Sequence, residues 1–210
     1  MVAEVDAMYA ETRGETGLAA MSPPVRAAMG KVERHRLVPA DGRTAAYQNH
    51  PLSIGSGQTI SQPYIVALST DLLQIDADSV VLDVGSGSGY QAAVVAEIAR
   101  QVYGIEVVES LAKSAAQQLA ELGYRNVEIT LGDGYSGWPE KAPFDAIVVA
   151  ATAPAVPKAL VEQLKPGGRM VIPVGDGWLQ QLKLVTRRAD GGFDQRDVLP
   201  VRFVPLVPGK

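Results

Sequence analysis

The stretch Val80-Val81-Leu82-Asp83-Val84-Gly85-Ser86-Gly87-Ser88-Gly89-Tyr90 decides the fold. A short β-branched run fits a buried strand, and the glycines after it allow a tight turn where a ligand can approach the backbone beside a helix N-terminus. A dinucleotide turn reads Gly-x-Gly-x-x-Gly; counted from Gly85 and Gly87, its third glycine falls on Tyr90. The spacing is Gly-x-Gly-x-Gly instead. Asp83, just before the turn, would repel a pyrophosphate and suits a cationic ligand.

Outward from this turn, the pattern alternates. Strands are predicted over 80–84, 102–106, 127–131, 146–150 and 170–174, with helices over 91–100, 110–122 and 157–164. Such alternation predicts a doubly wound, Rossmann-like α/β fold with a mostly parallel sheet. After Gly177 the rhythm changes. Segments 182–186 and 198–204, joined through Asp190-Gly191-Gly192, predict an antiparallel edge hairpin. Before the turn, helices are expected over 24–31 and after Pro63, with a loop over 41–61 and a frayed or loosely helical arm over 1–22 in which no function can be read. Residues 1–75 then form an N-terminal extension packed on a core of 76–210, one structural domain in all.

Glu106 ends the second strand, where a doubly wound sheet places an acid on a ribose diol. Gly132-Asp133-Gly134 follows the third strand, within reach of an adenine amino group. Three acids at three strand ends point to one crevice and an adenosyl sulfonium ligand. Taken singly, Asp83 could cap a helix and Glu106 could be a solvated charge.

Composition removes other chemistries. The net charge of −4 gives no basic field for nucleic acid, and the chain has no cysteine and two histidines, so no metal site is expected. No apolar run approaches a membrane span, and the acidic start is unlike a leader, which predicts a cytoplasmic protein. His35 and His50 could form a hydrolase triad with Ser61, but no Gly-x-Ser-x-Gly elbow surrounds that serine. Ser61 could equally cap the helix that follows it. Tyr64, Tyr90, Trp138 and Trp178 could stack on a ligand, but isolated aromatics more often pack.

Tyr47 and the run Pro51-Leu52-Ser53-Ile54-Gly55-Ser56-Gly57-Gln58-Thr59-Ile60-Ser61-Gln62-Pro63-Tyr64 resemble the signature of protein-L-isoaspartate O-methyltransferases. The resemblance continues through 83–90, Gly132-Asp133-Gly134, 142–145, Pro166-Gly167-Gly168, 172–175 and Phe203-Val204-Pro205-Leu206, covering about residues 24–208. It implies seven strands, the last two exchanged in order relative to other class I methyltransferases. It also implies S-adenosylmethionine as co-substrate and isoaspartyl proteins and peptides as partners, handled by a monomer without nucleic acid, membrane or metal. On this resemblance Ser61 is catalytic. Gln58, Thr59, Ile60, Asp83, Gly85, Ser86, Gly87, Glu106, Val107, Asp133 and Gly134 bind the cofactor, and Ile54, Thr59, Ser61 and Val204 the substrate. Leu37, Ser53 and Ala150 depart from the family's usual Phe, Pro and Thr. The rival readings are a class I methyltransferase acting on a dedicated peptide or small-molecule acceptor, an NAD-dependent oxidoreductase and a non-catalytic adenosyl-binding or protein-interaction module.

Overall fold

The computed structural model describes residues 1–177 and 179–209, so Trp178 lies outside the described residues. The chain opens with helices α1 (Val2–Thr16) and α2 (Pro23–Lys31). The short hairpin β1 (Leu52–Gly55) and β2 (Gln58–Ile60) follows, then α3 (Pro63–Leu73). The alternating region is β3 (Val80–Val84), α4 (Tyr90–Ala96), β4 (Gln101–Glu106), α5 (Glu109–Glu121), β5 (Val127–Leu131), β6 (Phe144–Val149) and α6 (Lys158–Glu162). Three long strands close the chain: β7 (Leu164–Asp176), β8 (Leu179–Arg187) and β9 (Phe193–Val201).

The main sheet has seven strands in the order β5-β4-β3-β6-β7-β8-β9. The first five run parallel, while β8 is antiparallel to both neighbours. This bears out the doubly wound sheet with its antiparallel hairpin. The last two strands lie in sequence order, the arrangement that the resemblance implied. Because β4 and β6 flank β3, the chain reverses its direction of winding there, and the crevice outside the C-terminal end of β3 is a ligand position by topology.

Alternation along the strands feeds two cores. Val81, Val102, Ala146, Val148 and Val171 pack under α2, α3 and α4, whereas Leu82, Val84, Ile105, Ile147 and Met170 pack on the opposite face with Leu160 and Val161 of α6. The first core also holds Val5, Tyr9 and Met29, so it runs without a break from α1 to the sheet.

Several expected elements differ. The arm expected as frayed or loosely helical over 1–22 opens with a regular 15-residue helix ended by Gly17 in the left-handed conformation. Tyr9 is fully buried and donates to Asp71 Oδ2 at 2.5 Å, and Arg196 donates to the Thr16 carbonyl, so tertiary partners make up for weak amphipathy. The loop expected over 41–61 contains the β1–β2 hairpin, turned by Gly55, Ser56 and Gly57, all at positive φ. Strand β7 extends well beyond the predicted 170–174 because it pairs on both sides, and α4 stops earlier than predicted. Among the described residues no helix is long and apolar enough to cross a membrane.

Candidate active site

The glycine turn is held from below. Gly85 and Ser86 N–H both donate to the Ile105 carbonyl, at 2.8 and 3.1 Å, which locks the β3 turn onto the end of β4. Ser86 Oγ donates to the Asp83 carbonyl at 3.2 Å. Gly104 makes room for this: a Cβ there would overlap Ser86 and Ile129. Gly89, at φ 80, leads into Tyr90 and lets α4 approach α5, since a Cβ there would come within 2.9 Å of Leu119.

The two acids of the turn have opposite environments. Glu106 accepts the Gly87 N–H at 2.8 Å and the Val108 N–H at 2.9 Å, one on each oxygen. A carboxylate has about four acceptor positions, so capacity for a diol remains. Asp83 is fully buried, and neither oxygen has a hydrogen-bond partner among the described residues. Burial pushes its carboxyl up to about 7; the nearby Ser86 hydroxyl opposes the rise and the Glu106 charge adds to it. An orphaned carboxyl under a glycine cradle, beside a pre-set second acid, fits a ligand that brings positive charge and hydroxyls.

The hairpin β1–β2 covers the turn. Ile54 Cδ1 would stand 3.3 Å from a Cβ on Gly87. The strand β2 then delivers Gln58, Thr59, Ile60 and Ser61 to the rim of the crevice. Ser61 does not cap α3. The N-cap is Gln62, without a side-chain capping bond, and the Tyr64 N–H is taken instead by Asn49 Oδ1 at 3.0 Å. The opposite rim comes from the C-terminal segment. Thr152 N–H donates to the Val204 carbonyl and Leu206 N–H to the Thr152 carbonyl, and Gln180 grips the Phe203 main chain on both N–H and C=O.

The crevice is lined by Gln58, Thr59, Ile60, Ser61, Gly85, Ser86, Gly87, Glu106, Val107, Gly134 and Val204, all of them expected from the sequence. Asp83 lies beneath the wall, and Asp133 stands beside it, accepting the Tyr135 N–H with Gly209 packed against it. Ile54 lines neither this crevice nor the cavity next to it. Sequence reasoning missed Gln91, which follows the glycine turn directly, Ala151 beyond the end of β6, and the segment Pro205 to Val207, which reaches the crevice only through its pairing with Thr152. Tyr90 lines it too, its ring under the buried Arg34 guanidinium, while Tyr64 lines the adjacent cavity and Trp138 packs on Tyr103.

That adjacent cavity opens on the far side of Ser61. Thr59, Ser61, Ala150 and Val204 line both spaces. No serine–histidine pair forms among the described residues: His35 bonds Tyr47, and His50 bonds Gln48 and the Pro51 carbonyl.

Comparison with known proteins agrees with this geometry. Residues 8–210 match the family model described as protein-L-isoaspartate(D-aspartate) O-methyltransferase. Protein-L-isoaspartate O-methyltransferase 2 of Polaromonas sp. is 58% identical over 207 residues, covering 98% of each chain. Its namesake in Syntrophobacter fumaroxidans is 54% identical over 210 residues, covering 100% of this chain and 85% of the relative. Among solved structures, a protein-L-isoaspartate O-methyltransferase superposes with a TM-score of 0.84 at 26% identity, covering 98% of this chain and 65% of that longer one. A Plasmodium falciparum protein described by the same activity, in complex with S-adenosyl-L-homocysteine, gives 0.77 at 27% identity, covering 97% of both chains. A glycine turn of the adenosyl type, a serine between two cavities and relatedness over nearly the whole chain place this protein in the protein-L-isoaspartate (D-aspartate) O-methyltransferase family.

Proposed function

We infer that the chain transfers the methyl group of S-adenosylmethionine to the free α-carboxylate of L-isoaspartyl residues in damaged proteins and peptides. The observation that carries this reading is Ser61, whose side of the hairpin faces both the adenosyl-type crevice and the neighbouring apolar cavity. A labelled-methyl assay tests it. An isoaspartyl peptide should gain base-labile methyl ester and the same peptide with normal aspartate should not; equal labelling would refute the assignment.

Within this proposal, Glu106 holds the ribose diol, Asp83 and the Gly85–Gly87 turn serve the amino-acid end, and Asp133 with Gly134 serves the adenine. Gln58, Thr59 and Ile60 cover the bound molecule, and Val107 lies at its ribose side. Bound S-adenosylmethionine supplies an electrophilic methyl carbon on a cationic sulfur. The acceptor is an α-carboxyl, a group that ordinarily titrates at about 3.5, so it is ionised at neutral pH and needs no general base. Ser61 positions it by donating a hydrogen bond from its hydroxyl, with Thr59 as a second hydroxyl and the Val204 main chain as the facing wall. Opposite charges cancel along the reaction, so a neutral hydroxyl in an apolar setting suits the transition state better than a charged group. The ester then closes to a succinimide when the following backbone nitrogen attacks it and methanol leaves, a step in which the chain has no part.

The same reading includes a monomer that engages neither nucleic acid nor membrane, supported by the net charge of −4. Light scattering at working concentration would overturn it by reading a dimer mass.

A further inference from the structure

We propose that Met8, on the N-terminal helix, is a specificity-determining residue: with the wall facing it, Met8 makes the cavity beyond Ser61 a receptacle for an apolar side chain adjoining the isoaspartate. This rests on the carboxyl-methyltransferase reading above and narrows its substrate class.

The helix-side wall of the cavity is Met8, Thr12 and Tyr64, and the opposite wall is Leu199, Val201 and Phe203. The Thr12 hydroxyl is used within the wall, donating to the Met8 carbonyl at 2.8 Å and bonding Tyr64 Oη at 2.5 Å. Met8 is held in place from the side. Asn49 Nδ2 donates to its sulfur at 2.9 Å and Gln62 Nε2 approaches it at 3.6 Å, while the same Asn49 also caps α3 next to Ser61. What the helix offers the cavity is therefore a fixed, polarizable, apolar side chain. Arg202 is the single charged side chain among the described lining residues.

Continuity with the crevice identifies the occupant. Thr59, Ser61, Ala150 and Val204 border both spaces, so a carboxylate held at Ser61 puts the residues adjoining the isoaspartate at the mouth of this cavity: the preceding Cα is one peptide unit of about 3.8 Å from the isoaspartyl Cα, and the following one is a methylene farther because the chain continues through the β-carboxyl. An apolar side chain gains there by leaving water, whereas a polar or ammonium group loses hydration without gaining a partner on Met8. Small differences in apolar fit commonly change kcat/KM by about 10–200-fold.

The test uses isoaspartyl peptides of one sequence carrying Leu, Phe, Gln or Lys next to the isoaspartate, on each side in turn. On one side the wild-type enzyme should favour Leu over Gln and Lys by at least about 10-fold in kcat/KM. Met8→Leu should keep that order. Met8→Glu should lower the Leu-to-Lys ratio by at least about 10-fold, with the Kd for S-adenosylmethionine unchanged by calorimetry. Met8→Ala, which enlarges the receptacle, should move the preference from Leu toward Phe and serves if the Glu variant does not fold. A wild-type enzyme indifferent to the neighbouring residue would overturn the proposal while leaving the methyltransferase reading intact. So would Met8 variants that slow every peptide by the same factor, since that is the mark of a merely structural residue. If no isoaspartyl peptide is methylated, both readings fall together.

Discussion

The two cavities that meet at Ser61 are built from different materials. The cofactor crevice is made at strand ends by main-chain turns: Gly85 and Ser86 hang from the Ile105 carbonyl, and Glu106 is pinned by two backbone N–H groups. The partners in this floor lie in adjacent strands, and only the rims, Gln58 to Ser61 and Val204 to Val207, come from elsewhere in the chain. The adjacent cavity is made of side chains from segments far apart, with α1 contributing Met8 and Thr12 and β9 with the segment after it contributing Leu199 to Val204. The first is rigid because its atoms are backbone in a packed sheet. The second is a contact between layers, and its chemistry can change by single substitutions without disturbing the sheet.

Substitutions can break or sharpen this contrast. The largest effect is expected at the point where the cavities join: Ser61→Ala should lower turnover by roughly 10 to 1000 fold while the donor still binds. Full turnover at saturating donor and low peptide would remove Ser61 from the mechanism. On the crevice side, Glu106→Ala should weaken the donor by roughly 1.5 to 3 kcal/mol, as for a lost hydrogen bond to a charged group. Calorimetry on the folded variant decides, and an unchanged Kd would show that the carboxylate serves only its two backbone donors. Gly104→Ala probes rigidity itself. A Cβ overlapping Ser86 and Ile129 should cost roughly 1 to 3 kcal/mol of stability. That corresponds to a fall in Tm of about 2–4 °C for each kcal/mol in a domain of this size, and an unshifted Tm would mean that the turn yields.

Asp83 gives an effect that depends on pH. Its carboxyl is raised to about 7 in the fold by burial, above the unfolded value of about 3.9. The unfolded chain therefore releases this proton first. This group's contribution is fully present below pH ~4 and is lost as pH rises toward ~7. Asp83→Asn cannot ionise, so the Tm of the ligand-free wild type relative to this variant should fall between pH 4 and pH 8. A constant difference across that range would show that Asp83 does not titrate as its burial implies.

Much of this was legible in order along the chain. Val80 to Gly89 announced a strand and a ligand turn, and the hairpin through Asp190-Gly191-Gly192 marked the antiparallel edge, where β8 and β9 pair. The failures share one cause. Helix α1 has no clear apolar stripe and is stabilised by Asp71, Tyr64 and β9, none of them nearby in sequence. The β1–β2 hairpin is too short for a clear pattern: Ile54 and Ile60 are buried with Ser53 and Thr59 turned outward, but the alternation lasts only three or four residues on each strand and is interrupted by a turn at positive φ.

What the sequence determined by itself is what its local chemistry enforces: the alternation of strand and helix, the glycine turn with an acid on each side, and a family signature from Tyr47 to Tyr64. Tertiary structure alone decided three other features. It left Asp83 buried without a partner among the described residues while Glu106 is held by two backbone donors, it brought in Asn49 rather than Ser61 to cap α3, and it made a frayed or loosely helical arm into a cavity wall. The physical reason is range: a turn or an amphipathic period is set within a few residues, whereas burial and cavity walls depend on segments that meet only after the chain has closed on itself.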